Sequence, residues 1–311
     1  MNQFRKLKQR VDGVLLLDKP KGLTSNAALQ TCRRLFNAAK GGHTGTLDPL
    51  ATGLLPLCFG EATKFTQTLL DADKTYEAVI QLGVTTDTCD AEGRVLKQKT
   101  VAVSLADLTS VLARFAGVIE QVPPMYSALK RDGQPLYKLA RQGIEIERVA
   151  RQVEIHALQL RHFDGAQLGI TVSCSKGTYI RTLAADIGEV LGCGAHLAGL
   201  RRTRIGPLDL SRAVTLEKLE SLPQPERDAL LFPADTLLDG LPRIDLDETA
   251  ARRFNQGQTQ PVTETPAGLC RVYGEERFMG VGQVAAGLLA PQRVVAGISQ
   301  AILEEKTDKR L

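Results

Sequence analysis

The sequence predicts a core of mixed strands and helices, of the α+β or the α/β class, followed by a small β-rich unit. Three observations predict it. Tyr76, Ala78, Ile80 and Leu82 alternate with Glu77, Val79 and Gln81, and Leu168, Ile170, Val172 and Cys174 keep the same period of two, as half-buried strands do. Ala28, Leu29, Cys32, Leu35 and Phe36 fall instead on one helical stripe, as do Ile180, Leu183, Ala184, Ile187, Val190 and Leu191. Around residues 215–250 the texture changes. Pro223, Pro225, Pro233 and Pro242 interrupt a stretch in which residues 217–248 carry nine acids against three bases. Beyond it Gly268, Gly274, Gly280, Gly282 and Gly287 punctuate short runs, Leu269 to Tyr273 and Arg277 to Val281, of the kind that build small sheets.

The elements follow in order. Gly13 to Leu17 reads as a short buried strand and Lys19-Pro20-Lys21-Gly22 as a turn, after which Ser25 is placed to cap the first helix. The glycine-rich stretch from Gly41 to Gly53, GGHTGTLDPLATG, reads as a loop. Gly53 to Phe59 is strand-like, although Pro56 argues for an edge or an irregular segment. Glu61 to Leu70 suits a short helix. Ser104 with Asp107 forms a capping box ahead of a helix that Gly117 closes. Lys176-Gly177-Thr178 turns into the helix behind it.

With 43% hydrophobic and 24% charged residues in 311, the chain can bury a core and form two units. A net charge of +4 is a weak sign of a polyanionic partner, but the bases are clustered. Arg5, Lys6, Lys8 and Arg10 form one group, Arg201-Arg202-Thr203-Arg204 another. Between Lys130 and Arg151 six bases face three acids (Asp132, Glu145, Glu147), with Gly133, Pro135 and Gly143 interrupting any long helix. Six cysteines without CxxC spacing read as buried thiols, which excludes a disulfide frame or zinc cluster from the expectation. The run Val14-Leu15-Leu16-Leu17 is too short for a signal sequence and no segment approaches a membrane span, so the expected location is the cytoplasm.

Chemistry is harder to place. The Gly41–Gly53 stretch holds one carboxylate, Asp48, and neither GxxxxGK[ST] nor GxGxxG, so a nucleotide cofactor has no support. The histidines at 43, 156, 162 and 196 make no ligand pattern. An aspartate before proline ordinarily serves a turn or a cap.

Four segments, however, resemble in order the motifs of the tRNA pseudouridine-55 synthase family, in its TruB-type stand-alone bacterial form. Asp18 to Ser25 (DKPKGLTS) is similar to its DKPxGxTS motif, and His43 to Gly53 (HTGTLDPLATG) to its catalytic motif. Lys74 to Ala78 resembles its KxY segment and Lys176 to Leu183 (KGTYIRTL) its GTYIR motif. Residues beyond the boundary resemble more loosely a small RNA-binding PUA domain. The resemblance implies an α+β fold with a mixed, largely antiparallel sheet and flanking helices. It divides the chain into a catalytic domain over residues 1–250, with a basic insertion at about 124–152 that closes over RNA, and a PUA-like domain over 251–311.

The activity it implies is isomerisation of a uridine in the tRNA T-loop, position 55, without cofactor or metal. Breaking the ribose–N1 bond, turning the base and rejoining it through C5 consumes no water and no electrons. One anionic oxygen suffices, as nucleophile or as base at the ribose. The resemblance makes that oxygen Asp48's, with Arg181 holding it ionised and Tyr76 stacking on the uracil and serving the C–H proton transfer. Tyr179 and Leu200 would wall the pocket, His43 would replace stacking lost when the base flips, and Lys64 and Arg202 would contact phosphate. The T-stem-loop would be the partner of a monomer with no obligate protein partner. An RNA-guided relative, or an RNA chaperone acting by binding alone, would share much of this sequence.

Overall fold

The computed structural model describes residues 8–127, 129–131, 133–263 and 266–296. The first part runs β1 (Gly13–Lys19), α1 (Ser25–Leu35), β2 (Gly41–His43), β3 (Thr52–Phe59), α2 (Thr66–Asp71) and β4 (Lys74–Leu82). A small hairpin, β5 (Val84–Thr86) and β6 (Val95–Gln98), precedes α3 (Leu105–Arg114) and β7 (Gly117–Gln121). The basic segment holds a second hairpin, β8 (Lys130–Arg131) and β9 (Gln134–Pro135), and the short α4 (Leu136–Arg141). Then come β10 (Arg151–Phe163), β11 (Gln167–Cys174), α5 (Ile180–Val190), β12 (Ala195–Ile205), β13 (Leu208–Asp209) and β14 (Val214–Thr215). After α6 (Leu216–Ser221) and α7 (Gln224–Asp228), the chain forms β15 (Arg243–Leu246), α8 (Glu248–Asn255), β16 (Gln260–Pro261), β17 (Gly268–Gly274), β18 (Arg277–Ala285) and β19 (Leu288–Val294).

The large sheet has the order β14-β1-β3-β12-β4-β11-β10-β7, with β2 beside β3 and β13 beside β12. Only β1/β14 and β3/β12 pair in parallel; the rest are antiparallel. The fold is therefore α+β, with the mixed, largely antiparallel sheet expected. Its two halves bury differently, and the sequence says why. In β4 and β11 one face is apolar, and Ala78, Ile80, Leu168 and Ile170 pack under α3 and α5. In β1 and β3 nearly every residue is apolar and both faces are covered. Leu15, Leu17, Leu55 and Leu57 pack under α1, while Val14, Leu16, Leu54 and Cys58 pack on the other side with Phe65, Leu237 and Val281.

That second core joins the two sheets. Phe278 of β18 meets Phe65 at a centroid distance of 5.4 Å, edge to face. The smaller sheet has the order β15-β17-β18-β19-β16 and is covered by α8. It begins with Arg243–Leu246, upstream of the division expected after residue 250. No helix among the described residues is long and apolar enough to cross a membrane.

Several local expectations need correction. Thr24, not Ser25, caps α1, its Oγ1 accepting from Ala27 N–H at 3.1 Å. Pro56 lies inside the sheet, opposite Leu16, rather than at an edge. Its carbonyl accepts from Thr44 N–H at 3.2 Å, so its ring nitrogen faces that same side. There β12 pairs only with Thr52 and Gly53, and β2 only with Leu57 to Phe59, so no partner strand asks Pro56 for a donor. The Gly41–Gly53 stretch is a loop for most of its length, but Gly41–His43 forms β2. The basic segment, whose interrupting Gly133, Pro135 and Gly143 leave only the short α4, is anchored by buried Leu136 and by a hydrogen bond from Tyr137 N–H to the Ser127 carbonyl.

Gly53 is where β3 and β12 touch most closely. Its φ is +97°, and a Cβ there would sit 2.3 Å from the Arg202 carbonyl oxygen. Gly53→Ala should therefore cost about 2 kcal/mol or more, from backbone strain and displacement of β12. Thermal unfolding checks this, and an unchanged midpoint would contradict the close approach.

Candidate active site

Asp48 stands in the loop between β2 and β3, and its neighbours explain why the loop is rigid. Leu47 and Leu50 on either side are buried anchors. Ser25 Oγ accepts from Leu47 N–H at 2.7 Å and donates to the Leu47 carbonyl at 3.0 Å. Gly22 N–H donates to the Pro49 carbonyl at 2.8 Å. The segment Asp18–Ser25 thus acts as a clamp on the loop carrying Asp48. Between these anchors the Asp48 side chain is 41% exposed and faces a cavity of about 860 Å³.

Arg181, in the first turn of α5, is 6% exposed despite its charge. Its Nε lies 3.1 Å from Asp48 Oδ2 and its Nη1 3.4 Å from Asp90 Oδ2. Nη1 also donates to the Thr88 carbonyl at 3.5 Å and Nη2 to the Tyr126 carbonyl at 2.7 Å. The planar guanidinium uses its fork to join four chain segments, and a lysine has no equivalent geometry. Asp90 is held in turn by Thr88 Oγ1 at 2.6 Å and Glu92 N–H at 3.1 Å. Burial raises the Asp48 carboxyl above its ordinary value; Arg181 opposes the rise, Asp90 adds to it and Lys19 opposes it.

Tyr76, Tyr179 and Leu200 line the same cavity with Asp48 and Arg181, as expected. Tyr179 is fixed from both sides. Its N–H donates to Gln121 Oε1 at 2.8 Å, its carbonyl accepts from Gln121 Nε2 at 3.1 Å, and the Arg151 guanidinium lies 4.9 Å from its ring centroid. Burial raises the Tyr76 phenol above its ordinary value. The basic segment contributes Tyr126, Ser127, Tyr137 and Arg141 to the rim, which brings it into contact with the site.

The other expected residues stand elsewhere. Arg202, expected on phosphate, is 1% exposed and sits in the cavity wall, its Nε bonded to the Leu54 carbonyl at 2.8 Å. Its strand alternation turns it into the core, so it is no surface cation. Lys64 pairs with Glu61 at 2.7 Å and donates to the Val294 carbonyl at 2.8 Å, tying α2's approach to β19. His43, on β2, is half-buried and lies outside the cavity lining; burial and then Arg202 lower its pKa. Sequence reasoning missed Asp90, a buried acid in an Asp-Thr-Cys-Asp turn with no periodicity to mark it. It placed Lys74 in the KxY segment but gave it no role; Lys74 lines the cavity and burial lowers its pKa to about 8.

Comparison with known proteins places this arrangement. The TruB family pseudouridylate synthase N-terminal domain matches residues 33–180, the tRNA pseudouridylate synthase B C-terminal domain residues 181–239, and the pseudouridine synthase II TruB C-terminal domain residues 242–295. The chain belongs to the TruB family. Among its relatives, the tRNA pseudouridine synthase B of Aromatoleum aromaticum is 59% identical over 300 residues, 96% of this chain and 97% of that one. That of Dechloromonas aromatica is 58% identical over 294 residues, 94% and 98% of the two chains. Among solved structures, a chain of a Cbf5-Nop10-Gar1 complex superposes with a TM-score of 0.68 at 26% identity, over 90% of this chain and 80% of that one. An archaeal box H/ACA Nop10-Cbf5 complex gives 0.68 at 25%, over 94% and 88%. The three family matches follow one another in sequence order over residues 33–180, 181–239 and 242–295, and take in all of the smaller sheet and every strand of the large one except β1.

Proposed function

We propose that this TruB-family chain converts a uridine of the tRNA T-loop, position 55, to pseudouridine, with Asp48, Tyr76 and Arg181 as its catalytic groups. The observation that carries the reading is the Asp48–Arg181 ion pair at 3.1 Å, set in the wall of a cavity of about 860 Å³. Such a pocket takes an extruded base, whose removal from the stack costs a few kcal/mol that pocket contacts must offset. Leu200 and Tyr76 offer apolar and aromatic surface for the ring, and Tyr179 a further wall. His43, beside the pocket, supplies a ring for the gap left in the loop.

In the reaction the Asp48 oxygen acts on the nucleotide while Arg181 keeps it anionic and aimed, and the N1–C1′ bond breaks. The uracil turns and a C5–C1′ bond forms. Tyr76 then accepts the C5 proton, the ring's double bond is restored, and N1 gains a proton, so the RNA neither gains nor loses atoms. Neither a redox step nor a hydrolytic water enters this balance. Lys64, bound to Glu61 and the Val294 carbonyl yet with its side chain 30% exposed, and the exposed Arg141 are the cations we place nearest the RNA backbone. The reading includes a chain active as a monomer without partner proteins, unlike the Cbf5 complexes, and a PUA-like second unit from about residue 242 that binds RNA.

The test uses the purified chain alone with unmodified tRNA and with a T-stem-loop hairpin, mapping pseudouridine by carbodiimide primer extension. Product at one uridine of both substrates is expected. No product from tRNA would leave binding alone as the role, and product only with added partners would favour the guided form. Arg141→Glu should flatten the dependence of tRNA affinity on salt, since a protein that neutralises one phosphate fewer has a logarithmic slope shallower by roughly one unit. Parallel slopes for variant and wild type would take Arg141 off the RNA.

A further inference from the structure

Arg202 is buried, and among the described residues no carboxylate forms a salt bridge with it. It is among the largest fully buried side chains of the molecule, and the ionisable group that favours its charge is Tyr76. The two face each other across neighbouring strands, Arg202 of β12 in register with Tyr76 of β4, and both line the cavity. The Arg202 backbone is fixed by its pairing with Gly53 and by the close approach that Gly53 permits. Nε is committed to the Leu54 carbonyl at 2.8 Å, while Nη2 is buried with no partner among the described residues.

A buried guanidinium without a carboxylate is costly. The other cations near the site are differently occupied. Arg181 serves Asp48 and Asp90, Lys74 donates to the carbonyls of Leu70 and Ala72, and Lys19 to those of Pro20 and Leu23. Arg202 is the cation that bears on the phenol. The charged and titratable groups acting on Tyr76 come from three elements: Arg202 from β12, Cys174 from β11 and Asp48 from the loop before β3. Burial raises the phenol most; Cys174 and Asp48 raise it further, and Arg202 opposes all of them.

We propose that Arg202 is a positioning residue for Tyr76, fixing the phenol oxygen at the cavity wall and supplying the counter-charge when that oxygen carries no proton. This rests on the reading that Tyr76 takes the C5 proton. In that step the C5–H bond breaks, its electron pair returns to the ring, and the Tyr76 oxygen becomes protonated. A matching proton reaches N1. The cation makes proton loss from the phenol less costly than burial, Cys174 and Asp48 alone would leave it, so that the oxygen can give up its own proton before it takes the one from C5.

The sequence has five tyrosines and no tryptophan, so global replacement by 3-fluorotyrosine gives a fluorine spectrum simple enough to titrate. Tyr76 is assigned by the signal that disappears in Tyr76→Phe. In Arg202→Gln, which keeps one amide donor for the Leu54 carbonyl, the Tyr76 midpoint should rise by about one pH unit or more, a tenfold fall in ionisation constant. The other signals should not move, and Arg202→Lys should recover at least half of the shift. An unchanged Tyr76 midpoint in Arg202→Gln overturns the proposal. Arg202→Met, read the same way, decides if the Gln variant does not fold. Because the titration uses no RNA, it stands apart from the catalytic reading. A raised midpoint together with a wild-type single-turnover rate in Tyr76→Phe would keep the coupling and remove Tyr76 from proton transfer.

Discussion

Asp48→Asn should bind tRNA within about twofold of wild type and lose at least about 10⁴-fold in single-turnover pseudouridine formation, the scale on which loss of a nucleophile is felt. The substitution keeps shape and removes the anion. Its surroundings are expected to stay in place because they do not depend on the charge. Leu47 remains clamped by Ser25 and Pro49 by Gly22, while Arg181 retains Asp90 and the carbonyls of Thr88 and Tyr126. A defect would therefore report chemistry rather than a displaced loop. Filter binding and primer extension on the same preparation check the two halves. Turnover above about one hundredth of wild type would remove Asp48 from its central role.

The pH dependence follows with opposite signs for stability and rate. Asp48's folded-state pKa is raised above its ordinary value, chiefly by burial. A raised acid favours the fold when protonated; that contribution is complete below the unfolded value and is lost as pH rises through the folded one. At neutral pH the ionised carboxylate thus costs stability, and Asp48→Asn should unfold no earlier than wild type. The reaction needs the anion, so the wild-type rate should fall on acidification at a higher pH than a free aspartate would set.

How much of this was legible depended on whether the answer was local. The period of two in Tyr76–Leu82 and Leu168–Cys174 settled two central strands, because each has one solvent face and one buried face. The α/β alternative stayed open in the periodicity because β1 and β3 are buried on both faces, and an all-apolar run carries no register. Pro56 misled for a related reason: the gap that tolerates it opens because β12, a strand remote in sequence, stops pairing with β3 at Gly53. The four motifs carry Asp48, Tyr76, Tyr179 and Arg181, which with Leu200 line one cavity. They could not show that Arg202, in a run of surface-like arginines, turns inward while Arg201 pairs with Asp18 at 2.7 Å. Nor could they show Asp90, which no motif contains and which reaches the cavity from a turn after β5, where it meets Arg181.

Arg181→Met should do more damage than Asp48→Asn to the fold and nearly as much to the reaction. The guanidinium is buried between Asp48 and Asp90, and Asp90 is 3% exposed. Removing the cation leaves a buried carboxylate uncompensated, a change worth about 3–5 kcal/mol when one partner of such a pair is deleted. The carbonyls of Thr88 and Tyr126 also lose their donor, so the rim formed by the basic segment should loosen. The rate with saturating tRNA should fall about 10²–10³-fold, the usual consequence of deleting one preorganised charge-stabilising donor. Arg181 lowers the Asp48 pKa, so its removal should also move the acidic limb of the rate to higher pH. Arg181→Lys separates charge from geometry. A single ammonium can restore part of the effect on Asp48, but it cannot meet both carboxylates and the Tyr126 carbonyl at once, so it should recover the limb more fully than the rate. The measurement is the single-turnover rate from acidic to neutral pH for all three proteins, with unfolding midpoints recorded alongside. An acidic limb in Arg181→Met that coincides with wild type would mean that Asp48 takes its ionisation from the cavity as a whole, and that Arg181 serves the fold instead of the carboxylate.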